Sequence, residues 1–276
     1  MARRLRIALA AFSLGVLAAA CSGDPNTSVT RTVPSTVPGD VASSVPSMSS
    51  VPTSPITVFA ASSVAELFGQ MGVAFQAEQP GAAVSFAFGG SSDLAGQILQ
   101  GAPVDVFASA DQANMAKLVD GGQASGTPVV FAKNTMAIIV APGNPKGITT
   151  LADLSNPDLV VVLGAPEVPA GQYAATVLEN AGVAVTPKSF ESSVQAVVTK
   201  VTAGEADAGI VFATDVKAAG SNAAGVEIPA DVNVIAEYPI VMTTSSTNQP
   251  LATAFINFVM SPAGQKILAD AGFLPV

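Results

Sequence analysis

From residue 56 onward the apolar positions follow two alternating rhythms. Runs such as Thr57-Val58-Phe59-Ala60-Ala61 and Val84-Ser85-Phe86-Ala87-Phe88 read as strands, and each gives way to apolar residues at helical spacing. Val64, Leu67, Phe68, Met71 and Phe75 mark the first helix face, which Pro80-Gly81 stops; Leu94, Ile98 and Leu99 mark the second. At both strand-to-helix junctions stand serines, Ser62-Ser63 and Ser91-Ser92, where N-caps are expected. Further strands are predicted at 104–108, 129–132, 135–141, 159–163, 208–212, 232–235 and 239–243. Asp111 is expected to cap a helix carrying Met115, Leu118 and Val119, and other helix faces carry Tyr173, Val177 and Leu178, then Val194, Val197, Val198 and Val201. A short helical segment follows from Thr214, and two helical patterns close the chain, around Phe255 and Leu268. Strand and helix alternate in the order of a mostly parallel α/β sheet.

Two serine-tipped helix starts from successive βα units carry a chemical implication. Free N–H groups and hydroxyls at the positive end of a helix attract an anion, and two such ends can converge on one. A serine cap is also common as plain helix architecture, so this pattern by itself leaves both readings open.

Composition narrows the chemistry. The chain has 276 residues, 49% of them hydrophobic and 11% charged, enough for a substantial core. It contains no histidine and one cysteine, which removes Ser-His-Asp and Cys-His nucleophilic sites, histidine metal motifs and intrachain disulfides. No Ser-x-x-Lys occurs, and the carboxylates follow no EF-hand spacing. The formal charge is −9. Removing residues 1–20 with Arg3, Arg4 and Arg6 leaves 8 basic against 20 acidic residues, a charge of −12, so nucleic acid is not an expected partner. An acidic chain that takes up an anion must do so with local neutral dipoles.

The N-terminus has the form of a secretion signal, with three arginines and then an apolar run from Ile7 to Ala20, too short for a typical membrane span. Leu17-Ala18-Ala19-Ala20-Cys21 resembles a bacterial lipoprotein box, with Ala18 where a branched aliphatic residue is preferred. Residues 1–20 are therefore expected to be a signal peptide and Cys21 a lipidated N-terminus that anchors the chain to a membrane. The stretch that follows, to residue 55, is dominated by Ser, Thr, Pro and Val, with Val-Pro at Val33-Pro34, Val37-Pro38, Val45-Pro46 and Val51-Pro52. It is expected to be a disordered tether with a reach of roughly 30 Å.

Five ordered blocks carry a resemblance that covers the chain from about residue 56. They are Val58-Phe59-Ala60-Ala61-Ser62-Ser63, Gly90-Ser91-Ser92-Asp93-Leu94-Ala95, Gly101-Ala102-Pro103-Val104-Asp105-Val106-Phe107-Ala108-Ser109-Ala110-Asp111, Val168-Pro169-Ala170-Gly171-Gln172-Tyr173 and Gly209-Ile210-Val211-Phe212. Together they resemble the substrate-binding proteins of bacterial molybdate ABC transporters, members of the type 2 periplasmic binding proteins. The resemblance implies a two-lobed α/β fold, each lobe a mostly parallel sheet flanked by helices, closing on an oxyanion. Lobe I is expected at 56–136 and 237–276 and lobe II at 137–236. The family's binding positions fall on Ser63, Ser91, Ala170, Val194 and Phe212. The serines would offer hydroxyls and N–H groups, and Ala170 and Val194 N–H groups alone. Phe212 stands where the family usually has tyrosine, so it would contribute packing without a phenol.

What the resemblance implies is an extracytoplasmic monomer that captures molybdate, with tungstate, and hands it to an ABC permease. It would need no cofactor and no protein-bound metal, and would catalyse nothing. Two alternatives stay open at this point: a binding protein for sulfate or another tetrahedral oxyanion, and a tethered interaction protein that has lost transport. A hydrolase is the third, weakened by the absence of histidine.

Overall fold

The computed structural model describes residues 55–276. The expected signal peptide, Cys21 and, as far as residue 54, the expected tether lie outside them. The described chain is mixed α/β, with nine strands in one hydrogen-bonded order and helices against both faces. The first βαβ unit is β1 (Ile56–Ala61), α1 (Ala65–Glu78) and β2 (Val84–Gly89), followed by α2 (Ser91–Leu99), β3 (Val106–Ala108) and α3 (Gln112–Asp120). β1 lies between β2 and β3 and is parallel to both, so three strands point the same way. Ile56, Val58 and Ala60 of β1 have no exposed surface, and the alternate residues are half-buried, as befits a strand covered on both faces. α1 turns Phe68, Met71 and Phe75 inward, the face its spacing predicts. Phe68 meets the rings of Phe131 and Phe255, and Phe75 meets Phe255 at 5.4 Å between centroids.

β4 (Ala124–Val140) then runs for 17 residues and joins the two halves of the sheet. Its residues 124–135 pair antiparallel with β9 (Ile235–Thr243), which borders β3; its residues 136–140 pair with β7 (Ala208–Phe212). The second half repeats the logic of the first. β5 (Val161–Gly164), α4 (Pro169–Asn180), β6 (Ser189–Glu191), α5 (Val194–Thr202), β7 and α6 (Ala213–Ala219) follow in order, with β5 parallel to both β6 and β7. β8 (Ala224–Glu227) edges β4, and α7 (Gln249–Met260) and α8 (Pro262–Ala271) return to pack on the first half.

Several expectations need correcting. The predicted strands at 129–132 and 135–141 are one, because the polar pair between them does not break the ladder. Lys133 stays paired with β9, and the buried Asn134 donates from Nδ2 to Thr214 Oγ1 at 2.8 Å. The strand at 232–235 shrinks to its last residue, which begins β9. The serines are not caps. Ser62–Val64 forms a 3-10 turn before α1, α2 is capped by Gly90, and neither cap position makes a side-chain bond. Asp111 does cap α3, accepting from Asn114 N–H at 2.9 Å.

Candidate functional site

Parallel register brings the loops that matter to one end of the sheet. Ala61 is paired with Gly89 and Ala60 with Ala108, so the chain leaves β1, β2 and β3 side by side at Ser62, Gly90 and Ser109. In the second half Gly164 is paired with Glu191 and Val162 with Gly209, so β5, β6 and β7 likewise end together. Helices start from both sets of ends, which is where a parallel sheet places ligands. Ser63, Ser91, Ala170, Val194 and Phe212, the five positions expected from sequence, all line one small cavity. Ala61, Ser62, Gly89, Gly90, Ala110, Val168 and Pro169 complete its wall, around a space of about 10 Å³.

Every lining side chain is uncharged. What the cavity offers is N–H and O–H. The N–H groups in the first turn of a helix have no partner within it. At α4 the first residue is Pro169, which has no N–H to leave unpaired, so Ala170 provides the first free donor. At α5 the Ser193 hydroxyl accepts from Ala196 N–H, which leaves Val194 N–H unspent at the cavity wall. Ser91 Oγ accepts from Ala110 N–H at 3.0 Å, so its own proton remains to be given. Neither the Ser63 nor the Ser91 hydroxyl is spent on a helix cap.

Two glycines hold the walls together. A Cβ on Gly171 would fall 2.2 Å from Ala165 O and 2.4 Å from Gly164 O, so only glycine lets α4 start against the end of β5. A Cβ on Gly90 would lie 2.2 Å from Ser192 O, across the cavity from the first half to the second. Asn114 Nδ2 reaches Glu167 O at 3.5 Å on another edge.

A family model described as a bacterial extracellular solute-binding protein matches residues 56–274. The chain belongs to that family. Among relatives of this solute-binding protein is the molybdate-binding protein ModA of Mycobacterium tuberculosis, 42% identical over 218 residues, which are 79% of this chain and 84% of that one. Two solved structures share the fold at 23% identity. The periplasmic molybdate-binding protein of Azotobacter vinelandii has a TM-score of 0.71 over 80% of this chain and 99% of its own. The sulfate-binding protein SubI of M. tuberculosis has a TM-score of 0.70 over 81% and 87%.

Behind the cavity wall, the solute-binding protein carries polar groups that sequence reasoning missed. Tyr238 on β9 has no exposed surface, and its OH lies 3.3 Å from Ser63 Oγ, which donates to it. Burial drives its phenol well above the ordinary value, helped by the nearby Asp215 carboxyl and opposed by the bond from Ser63 and by the neighbouring Asn134 amide. Asp215 is buried as well, and burial lifts it to about 7 against the bond it accepts from Phe212 N–H at 3.1 Å. The Phe212 amide is thus spent on the carboxylate, and its ring packs edge-on to Tyr173 at 6.1 Å and Tyr238 at 5.4 Å. Tyr173 is pushed up to about 12, by burial first and then by the charges of Asp111 and Glu237. Tyr238 gave no sequence signal, since a lone tyrosine in an apolar strand reads as core.

Proposed function

We propose that this solute-binding protein captures molybdate, and tungstate with it, outside the cytoplasm and delivers it to an ABC permease. Ser63 and Ser91 donate hydroxyl and backbone hydrogens from one side, and Ala170 and Val194 donate backbone N–H from the other. Phe212 closes the wall by packing. What carries the reading is the meeting of these five positions at one uncharged cavity walled by helix starts. A tetrahedral dianion offers four acceptor oxygens, and charge-assisted bonds to neutral donors need no counter-charge in the wall. The 42% identity to a molybdate-binding relative supports the choice of ion.

In this reading lobe I comprises 56–136 and 237–276, lobe II comprises 137–236, and the two hinge where β4 and β9 pass between them. The protein carries out no reaction and works as a monomer. Lipid on Cys21 holds it at the membrane; Cys21→Ala should release it, and full retention would refute the anchor.

Selectivity follows from size. Sulfate is the smaller anion and cannot reach donors on both sides at once, and each donor left unpaired in a dry cavity costs about 1–3 kcal/mol. The test is a thermal-shift series at equal anion concentration. Molybdate and tungstate should raise Tm strongly and sulfate little. Equal shifts would favour a general oxyanion carrier, and no shift with any anion would favour an interaction protein without transport.

A further inference from the structure

We infer that Tyr238 is a positioning residue for the bound anion, supplying through Ser63 the phenol that Phe212 lacks. The inference rests on the proposed oxyanion site. Without ligand, Ser63 donates to Tyr238 OH at 3.3 Å. Asn134 is the phenol's other polar neighbour. Its own bonds lie elsewhere: Oδ1 accepts from Thr135 N–H at 2.9 Å, and Nδ2 gives a hydrogen to Thr214 Oγ1 at 2.8 Å. The buried phenol therefore receives one hydrogen, from Ser63, and its own proton is the one left to place.

An incoming oxyanion resolves this. A hydroxyl can donate and accept at once. Ser63 can turn its proton to the anion while Oγ accepts the proton of Tyr238 in exchange, so the Ser63–Tyr238 bond reverses direction without either oxygen moving. The chain then runs Tyr238 to Ser63 to ligand, each link donating forward and polarising the next. It starts on β9 and ends at the turn after β1, joining a strand that pairs with β3 and β4 to a wall of the cavity. Tyr238 is 0% exposed, so water does not compete for its link to Ser63.

The chain has two tyrosines and no tryptophan, which makes the reversal observable. In a Tyr173→Phe variant Tyr238 is the sole near-ultraviolet phenol, and a phenol that becomes a hydrogen-bond donor absorbs at longer wavelength. Molybdate should produce a red shift in this variant and none when Ser63→Ala is added. No red shift on saturation would overturn the inference. A double-mutant cycle gives the second readout. Tyr238→Phe keeps the ring against Phe131, Phe212 and Phe273, and should weaken molybdate binding about tenfold by calorimetry. In the Ser63→Ala background the same change should alter affinity less than twofold. Equal losses in both backgrounds would assign Tyr238 to packing alone and refute the relay. If the parent chain binds no molybdate, the function reading fails first; a parent that binds while Tyr238→Phe costs nothing refutes this inference only.

Discussion

Gly90→Ala tests the cavity at its tightest point. Gly90 has φ −64° and ψ 134°, an extended conformation open to any residue, so alanine brings no backbone strain. The clash described next is present without ligand, so unliganded stability should itself fall by about 1–3 kcal/mol. The larger cost falls on ligand binding. The new Cβ would stand 2.2 Å from Ser192 O, a backbone atom one residue before the cap of α5, and cannot be accommodated by a rotamer change. The two walls must separate by about 1 Å to restore ordinary contact. A hydrogen bond stretched by that amount passes out of its useful range. With the anion held to Ser63 and Ser91, the bonds from Ala170 and Val194 are the ones lost. Two charge-assisted bonds at about 1.5–3 kcal/mol each amount to about a hundredfold to ten-thousandfold in Kd. Calorimetric titration with molybdate, beside thermal melts of the unliganded protein, reads both quantities. Affinity within threefold of the parent, with the melt unchanged, would show that the first and second halves do not both hold the ligand.

Other perturbations separate the parts of the site. Ser63→Ala and Ser91→Ala should each weaken molybdate binding by about 1.5–3 kcal/mol and lower the unliganded Tm, the first because it removes the bond to the buried Tyr238 OH and the second because it strands the buried Ala110 N–H. Phe212→Tyr should tighten molybdate binding about tenfold if a phenol at the end of β7 finds the anion; weaker binding would mean that the cavity is built around phenylalanine and the donor set carried over from the family is wrong. Asp215 sits at about 7 in the fold against an ordinary 3.8, so the folded state prefers it protonated. Its stabilising contribution is complete below the lower value and is lost as pH rises through about 7. Melts of the parent should therefore weaken from pH 5 to pH 8 more than those of Asp215→Asn, and parallel curves would refute the assignment.

The parts of the architecture legible in sequence were those with a periodic apolar face. α1 shows Phe68, Met71 and Phe75 on the predicted side, and α5 shows Val194, Val197, Val198 and Val201. The break in β4 was misread because Lys133 and Asn134 are polar, and their strand partners are more than a hundred residues away. β6 and β8 were missed because three- and four-residue strands carry too few positions for a period to show. At the site, Ala170 and Val194 are silent by composition, since what they offer is a main-chain N–H that any residue has. Only the resemblance to a family pointed to them. Gly90 was visible as a turn residue, while the carbonyl it must pass lies on another βα unit. Ser62 and Ser63 suggested a cap, and the 3-10 turn that frees them depends on local geometry that sequence does not encode in a single residue.

The acid balance of the chain bears on how such a cavity works. A formal charge of −9 repels an oxyanion at long range, yet at physiological ionic strength that field is screened within about 8 Å. Inside the cavity the contest is local. The lining holds no lysine or arginine, so attraction must come from oriented N–H and O–H groups, whose pull falls off within a turn of helix. A cationic clamp would accept any anion of the right charge and tolerate several positions. Directional dipoles reward only a ligand whose oxygens meet all of them at once, and helix starts fixed by Gly171 against β5 and Gly90 against Ser192 leave little freedom to adapt. The acidic surface and the neutral cavity thus work together: the first discourages loose anion binding elsewhere, and the second makes tight binding depend on shape. Asp215 fits the same logic. A buried carboxyl near the wall would oppose a dianion if ionised, and burial keeps it protonated below about neutral pH. Affinity should then decline above neutrality in the parent and hold steady in Asp215→Asn, a dependence that a cavity relying on lysine or arginine charge would not show over that range.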